Sequence, residues 1–262
     1  MCSTCGCGEG EVRMTTLDDT ATTQTHGHDH HGNHDHDHHH HDQDHDTGGP
    51  RTHTLDLEIA VLAKNDRLAA DNRAWLADRK VAALNLMSSP GAGKTTLLER
   101  TIAASDRAVT VIEGDQETLF DAERIRTAGA RAVQVNTGAG CHLDATMVAA
   151  ALQRLQPETG SLLVVENVGN LVCPALFDLG ETRKVVVISV TEGDDKPLKY
   201  PHMFAAADLV VVNKTDLLPF VDFDLERLET DARTLNPQVR VLALSARTGD
   251  RFDDWLGWLA AL

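Results

Sequence analysis

"AALNLMSSPGAGKTTLLER", residues 82–100, decides how the rest of the chain is read. A short apolar run, 82–87, leads into a glycine-rich loop, and Lys94-Thr95-Thr96 opens a helical stretch over 94–104. Strand, loop and helix in that order suit a phosphate-binding loop, because the N–H groups at a helix N-terminus attract an anion. From Ser88 the pattern is S-x-x-x-x-G-K-T, with Ser88 where the strict form has glycine. The N–H groups of Gly91, Ala92, Gly93, Lys94 and Thr95 would face a β-phosphate, with Thr96 in the same first turn. Lys94 would bridge β- and γ-phosphates, and the Thr95 hydroxyl would ligate Mg²⁺.

Outward from this loop, apolar runs alternate with helical stretches. Strands are expected at 82–87, 108–112, 132–136, 162–166, 185–190, 209–213 and 239–244, and helices at 94–104, 117–128, 143–155, 222–234 and 250–262. The last carries Phe252, Trp255, Leu256 and Leu259 on one stripe. Leu55, Ile59, Leu62, Leu68 and Leu76 suggest a further helix leading into the domain. Continuous apolar strands between helices imply a mostly parallel, doubly wound sheet: an α/β fold of the P-loop NTPase kind.

The chain divides near residue 50, into a tail (1–50) and a nucleotide-binding domain (51–262). Residues 8–50 are rich in Thr, Asp, Gly and His and carry almost no large apolar side chains, so disorder is expected there. The net charge is −16, and the tail holds ten acidic residues against one Arg. With no basic patch, nucleic acid and anionic membrane are not expected partners. No run approaches the roughly 18 apolar residues of a membrane helix. No secretory signal is evident, and five cysteines, three of them crowded at the start, read as metal or redox chemistry in a cytoplasmic protein.

"VVNKTDLL" supplies the base reader. Asn213, Lys214 and Asp216 form N-K-x-D after a strand. A carboxylate at Asp216 accepts from both N1–H and the exocyclic amine of guanine, whereas adenine has no donor at N1. The ligand is therefore expected to be GTP. Ser245 and Ala246, in "LSARTG", are placed to meet the guanine carbonyl with their backbone. Asp115 and Glu166 end neighbouring strands, on the ligand face of an open parallel sheet, where they would support Mg²⁺ or orient water. Lys94, Asp115 and Glu166 are thus the candidate catalytic set. Glu113 is a weaker candidate, read as a solvated loop acid.

Soft donors form two further groups. Cys141 and His142 are adjacent in "NTGAGCHLDA", and Cys173 follows a strand in "ENVGNLVCP". Thiolate and imidazole suit Ni²⁺ or Zn²⁺, and a symmetric dimer would double the set across a two-fold axis. A buried cysteine is more often a small hydrophobe, an alternative that weighs most on Cys173. At the start, removal of Met1 would expose the amine of Cys2. With the thiolates of Cys2, Cys5 and Cys7 it makes an N,S,S,S set suited to square-planar Ni²⁺, and equally to Zn²⁺ as a tetrahedron. Eleven histidines within 26–45 add weaker imidazole sites that read as metal buffering.

Taken together, "CSTCGC", the His tract, "SSPGAGKTTLL", "EGDQET", "NTGAGCHLDA", "ENVGNLVCP", "TEGDDKPLKYP" and "VVNKTDLL" resemble the hydrogenase nickel-incorporation GTPase family, over nearly the whole chain. The resemblance implies a GTPase that dimerises on binding GTP and delivers nickel to the [NiFe]-hydrogenase large subunit precursor. It implies a tight nickel site at Cys2, Cys5 and Cys7 and a second at Cys141, His142 and Cys173. A small zinc-binding maturation protein and, in some organisms, a nickel-storage or prolyl-isomerase type chaperone are the implied partners. Lys196 and Lys199 would lie on the segment that meets the partner subunit. The rival readings are a urease-type nickel GTPase, a zinc chaperone of related fold and a metal storage protein with a residual nucleotide fold.

Overall fold

The structure, a computed structural model, describes residues 13–17, 50–115, 120–138 and 140–262, with the backbone alone at 13, 17, 50–58 and 120. Cys2, Cys5, Cys7 and the histidines of 26–45 lie outside the described residues. In chain order the elements are β1 (Arg13–Leu17), α1 (Pro50–Asp78), β2 (Ala82–Ser88), α2 (Lys94–Ala104), β3 (Val109–Asp115), α3 (Phe120–Thr127), β4 (Arg131–Asn136) and α4 (Ala145–Leu155). There follow β5 (Leu162–Glu166), α5 (Cys173–Leu176), β6 (Arg183–Ser189), α6 (Lys196–Lys199), α7 (Pro201–Ala206), β7 (Leu209–Asn213), α8 (Leu225–Leu235), β8 (Arg240–Ala243) and α9 (Phe252–Ala260).

The strands make one sheet in the order β1-β4-β3-β5-β2-β6-β7-β8. Every pairing is parallel except β1 with β4. The inner strands are buried on both faces, so their sequences are unbroken Val/Leu runs rather than alternating ones. One face packs on α2, α3 and α9 through Leu97, Leu98, Ile125, Phe252, Trp255 and Trp258. The other packs on α1 and α4 through Leu76, Val148 and Leu152, and on α7 and α8 through Met203, Phe204 and Leu228. No helix among the described residues is long and apolar enough to cross a membrane.

The seven expected strands and the helices beside them form, with ends shifted by a few residues. Three details differ. Residues 13–17, assigned to a disordered tail, form β1. "RMTTL" pairs with the open edge of β4, and its two threonines suit a strand, but the pairing itself is a tertiary cause. The inner face of α1 follows the expected stripe only in part, with Leu76 buried and Leu62 and Leu68 half-buried. Ile59 is 58% exposed, and the buried positions are Asn65, Ala69, Asn72 and Leu76. Asn65 and Asn72 turn inward because they bond main-chain groups: Asn65 donates to Asp178 O and accepts from Ala145 N, and Asn72 donates to the carbonyls of Ala145 and Leu179. In α9, Trp258 takes the buried place expected of Leu256, which is half-buried.

Candidate nucleotide and metal sites

The phosphate loop closes a cleft of about 420 Å³. Its floor is Lys94 and Thr95, and its walls include Glu113, Asp115, Asp121, Arg124, Glu166 and Gly169. Lys94 Nζ donates to Ser88 Oγ at 2.7 Å, and that hydroxyl donates to Ser89 O. The serine that departs from the strict pattern therefore holds the lysine. Ser89 Oγ in turn bonds Glu192, which ties the loop to the 190–199 segment. Gly93 caps α2 at φ 97°, a left-handed conformation, and a Cβ there would lie 2.5 Å from Asn213 Nδ2. Glycine is required by backbone and space alike.

The acids of the cleft are unequal. Thr95 Oγ1 donates to Glu166 Oε1 at 2.8 Å, while Glu166 Oε2 is buried without a partner. Glu113 faces Glu166 across the β3–β5 pairing, and its Oε2 is likewise buried without a partner. Burial, then the charge of Glu166, pushes the Glu113 carboxyl up to about 9. Burial raises Glu166 too, opposed by Lys94 and Thr95. Burial lowers Lys94, opposed by Glu166. Glu113 is therefore no solvated loop acid but a strand residue 2% exposed inside the cleft. Its position two residues before Asp115, on the same side of β3, was the available signal. Thr95, Asp115 and Glu166 line one cleft, and a divalent cation fits a place where buried carboxylate oxygens lack partners.

The residues expected to read the base are held together. Asn213 Nδ2 donates to Ala92 O, and Asn213 Oδ1 accepts from the N–H groups of Lys214 and Ala246. One amide thus joins three loops. Lys214 takes a left-handed conformation at φ 63° and donates from Nζ to Gly91 O. Ser245 Oγ donates to Asp216 Oδ1 at 2.6 Å. Thr96 accepts from Arg124 at the cleft rim.

Cys141, His142 and Cys173 come together. One donor atom from each lies within 4.8 Å of the others. Cys141 Sγ and His142 Nδ1 are 3.6 Å apart, and the imidazole stacks on Phe177 at 3.9 Å. Burial lowers the His142 pKa, which favours the neutral, ligating ring. The site is tied to the cleft. Asn167, next to Glu166, accepts from Leu143 N, next to His142. Thr137 N donates to Asp115 O, and Asn170 donates to Cys141 O. Gly114 exists because a Cβ there would lie 2.8 Å from Leu143. Sequence reasoning passed over Asn167 and Asn170, although both stand inside "ENVGN". Of the two lysines on the 190–199 segment, Lys199 is exposed beside Asp195, whereas Lys196 is largely covered against Glu192 and Tyr200.

Residues 82–243 match the family model of the CobW/HypB/UreG nucleotide-binding domain. The hydrogenase maturation factor HypB of Escherichia coli K12 is 56% identical over 214 residues, 81% of this chain and 74% of that protein. Its counterpart in Azotobacter vinelandii is 52% identical over 278 aligned residues, 99% of this chain and 91% of that one. The chain belongs to the HypB family. Two solved HypB structures have the same fold. The Helicobacter pylori protein in complex with nickel matches with a TM-score of 0.73 at 39% identity, over 76% of this chain and 94% of that one. The Archaeoglobus fulgidus protein matches with 0.71 at 42% identity, over 76% and 98%. HypB membership agrees with the resemblance drawn from the motifs, and with the parallel α/β architecture expected of them.

Proposed function

We propose that the protein is a GTP-hydrolysing nickel metallochaperone that delivers nickel to the [NiFe]-hydrogenase large subunit precursor. One observation carries the reading: three soft donors, Cys141, His142 and Cys173, gather on loops hydrogen-bonded to the acids of a phosphate-binding cleft. Such donors have no use in phosphate chemistry, and they fit nickel as cargo.

In this reading Asp216, Ser245 and Ala246 hold guanine, with the Lys214 stem lying over the base. The N–H groups of 91–95 and Lys94 hold the phosphates. Thr95, Asp115 and Glu166 hold Mg²⁺, which when bound neutralises charge developing on the β- and γ-phosphate oxygens. Hydrolysis yields GDP and phosphate, with Asp115 and Glu166 orienting water. Glu113 and Glu166 share a cramped, partner-poor space, so a cation among them alters both, and Asn167 passes that change to Leu143 and His142. Cys2, Cys5 and Cys7 form the tighter nickel site. GTP favours a homodimer in which two Cys141-His142 pairs face each other. The exposed Val172 and Leu176, flanking Cys173, supply an apolar rim for it. The small zinc-binding maturation protein acts beside this dimer, and Lys199 marks a surface for a partner.

The test is a nickel titration of the full-length Cys2→Ala/Cys5→Ala/Cys7→Ala protein, which keeps the second site alone, with GDP and with a non-hydrolysable GTP analogue. The two nucleotides are expected to give different affinities, and Cys141→Ala to remove the binding. Equal affinities would leave a GTPase and a metal binder with no coupling between them.

A further inference from the structure

Strand β2 turns Ala83, Asn85 and Met87 to the sheet face covered by α1, α4, α7 and α8, and Ala83 and Met87 pack there in hydrophobic clusters. Asn85, between them, meets two more polar side chains, Asn167 and Glu181, and all three are buried. Neither Asn85 nor Glu181 belongs to the nucleotide or metal sets described above. The bonds among them run in one direction. Leu179 N donates to Glu181 Oε2 at 2.7 Å. Asn85 Nδ2 donates to Glu181 Oε1 at 3.3 Å, and Asn167 Nδ2 donates to Asn85 Oδ1 at 3.2 Å. At the far end Leu143 N and Val168 N both donate to Asn167 Oδ1, at 3.2 and 2.9 Å. Leu143 follows His142, so this end holds the metal loop as well as the loop after β5.

The two ends fix the polarity of the run. A main-chain N–H only donates, so the side chains must accept at Leu179 and accept again at Leu143 and Val168. A carboxamide passes polarity along, accepting on one side and donating on the other. Two carboxamides between fixed donors therefore close only if one further member accepts on both sides, as an ionised carboxylate does. Glu181 is that member. Burial raises its pKa, and Lys184, with Nζ 3.6 Å from Oε1, opposes the rise.

We propose that Glu181 is a positioning residue for the site of Cys141, His142 and Cys173: as the one double acceptor of the run, it sets how Asn85 and Asn167 are turned and so holds the main chain at Leu143 and Val168. The effect on metal rests on the nickel reading given above; the polarity of the run does not. With Gln in place of Glu181, donor must face donor somewhere. The amide oxygen stays with Leu179 N, the shortest of the bonds, and the new NH₂ group faces Asn85 Nδ2. Turning Asn85 and then Asn167 to suit only hands the misfit on to the N–H groups of Leu143 and Val168, which cannot turn. Moving the double acceptor one place along restores the count. In Glu181→Gln/Asn85→Asp the new amide donates to the new carboxylate, which also accepts from Asn167 Nδ2, and the pair keeps its size and charge.

Two measurements separate polarity from positioning. The first is amide hydrogen exchange in the full-length chain without metal, with Val211 in β7 reporting an intact sheet. Glu181→Gln should speed exchange at Leu143 at least about tenfold. Asn85→Asp, which sets two carboxylates side by side with no donor between them, should do at least as much. The double variant should return Leu143 to within about threefold of wild type, a rescue that neither lost packing nor a lost Lys184 pair allows. Wild-type exchange in Glu181→Gln, or a double variant as fast as Asn85→Asp, overturns the polarity. If a single variant fails to fold, a folded and protected double variant upholds the polarity, and a double variant that unfolds or exchanges fast overturns it. The second is a nickel titration of the same variants in the Cys2→Ala/Cys5→Ala/Cys7→Ala protein. Affinity should fall about 10- to 100-fold in Glu181→Gln and recover in the double variant. Nickel affinity that stays constant while exchange at Leu143 changes overturns the positioning and leaves the polarity. A parent protein that binds no nickel sinks the metallochaperone reading, and the positioning with it, while the exchange result stands.

Discussion

Two glutamates meet below the phosphate loop, and their proximity has a cost that depends on pH. Folded, Glu113 keeps its proton up to about pH 9, against an ordinary value of 4.5. Between those values the folded chain binds a proton that the unfolded chain has lost. The contribution is full below pH 4.5 and is lost as pH rises through 9. The nucleotide-free protein should therefore lose stability with rising pH across that window, by up to about 1.4 kcal/mol per unit from Glu113, with Glu166 shifted in the same sense. Glu113→Gln should flatten the slope, as read from urea midpoints at pH 6 to 9; an unchanged slope would place the proton elsewhere. On the base side, Asp216→Asn keeps an acceptor for Ser245 and so keeps the fold. It should weaken GTP by about 1–3 kcal/mol and favour xanthine nucleotides, because the amide donates where the carboxylate only accepts. Binding of ATP alongside GTP by the wild-type chain in a competition titration would remove Asp216 from the base site.

The helix that covers the sheet near the metal loops, α1, is fastened by amides as well as by leucines. Asn72→Ala would leave two buried carbonyls, those of Ala145 and Leu179, without their donor. The expected loss is about 1–3 kcal/mol, a fall in Tm of about 2–10 °C. Ile59→Ala, at an exposed position of the same helix, should change stability by less than about 0.5 kcal/mol. Comparable losses in the two variants would mean that the amides contribute nothing special. This helix also marks how far the sequence could be read. Strands such as 162–166 and 209–213 were legible because an inner parallel strand is apolar at successive positions up to its last residue. The phosphate loop and N-K-x-D were legible because each needs particular side chains at fixed spacing beside a strand. The inward turn of Asn65 and Asn72 was not, since it depends on carbonyls 73 to 113 residues away. The grouping of Cys173 with Cys141 and His142 was expected, and the fold supplies its reason: β4 and β5, separated by β3, end on one edge. Glu113 was misjudged for a related reason: a carboxylate near a strand end looks solvated until the neighbouring strand supplies Glu166.

At the scale of the whole molecule, the proposed function makes nucleotide and metal two ligands of one linked system. If GTP changes nickel affinity at Cys141 by some factor, nickel must change GTP affinity by the same factor. Asn167→Ala, which removes the acceptor for Leu143 N, should bring that factor toward one while both ligands still bind; a factor equal to wild type would route the linkage elsewhere. The outermost strand bears on how such work is done. A chain shortened past residue 17 would bare the outer N–H and C=O row of β4, an invitation to sticky self-association that has nothing to do with guanine nucleotides. Shortened protein should scatter light increasingly with concentration whether GDP or the analogue is present, and a two-fold pairing seen only in that form would be a product of trimming.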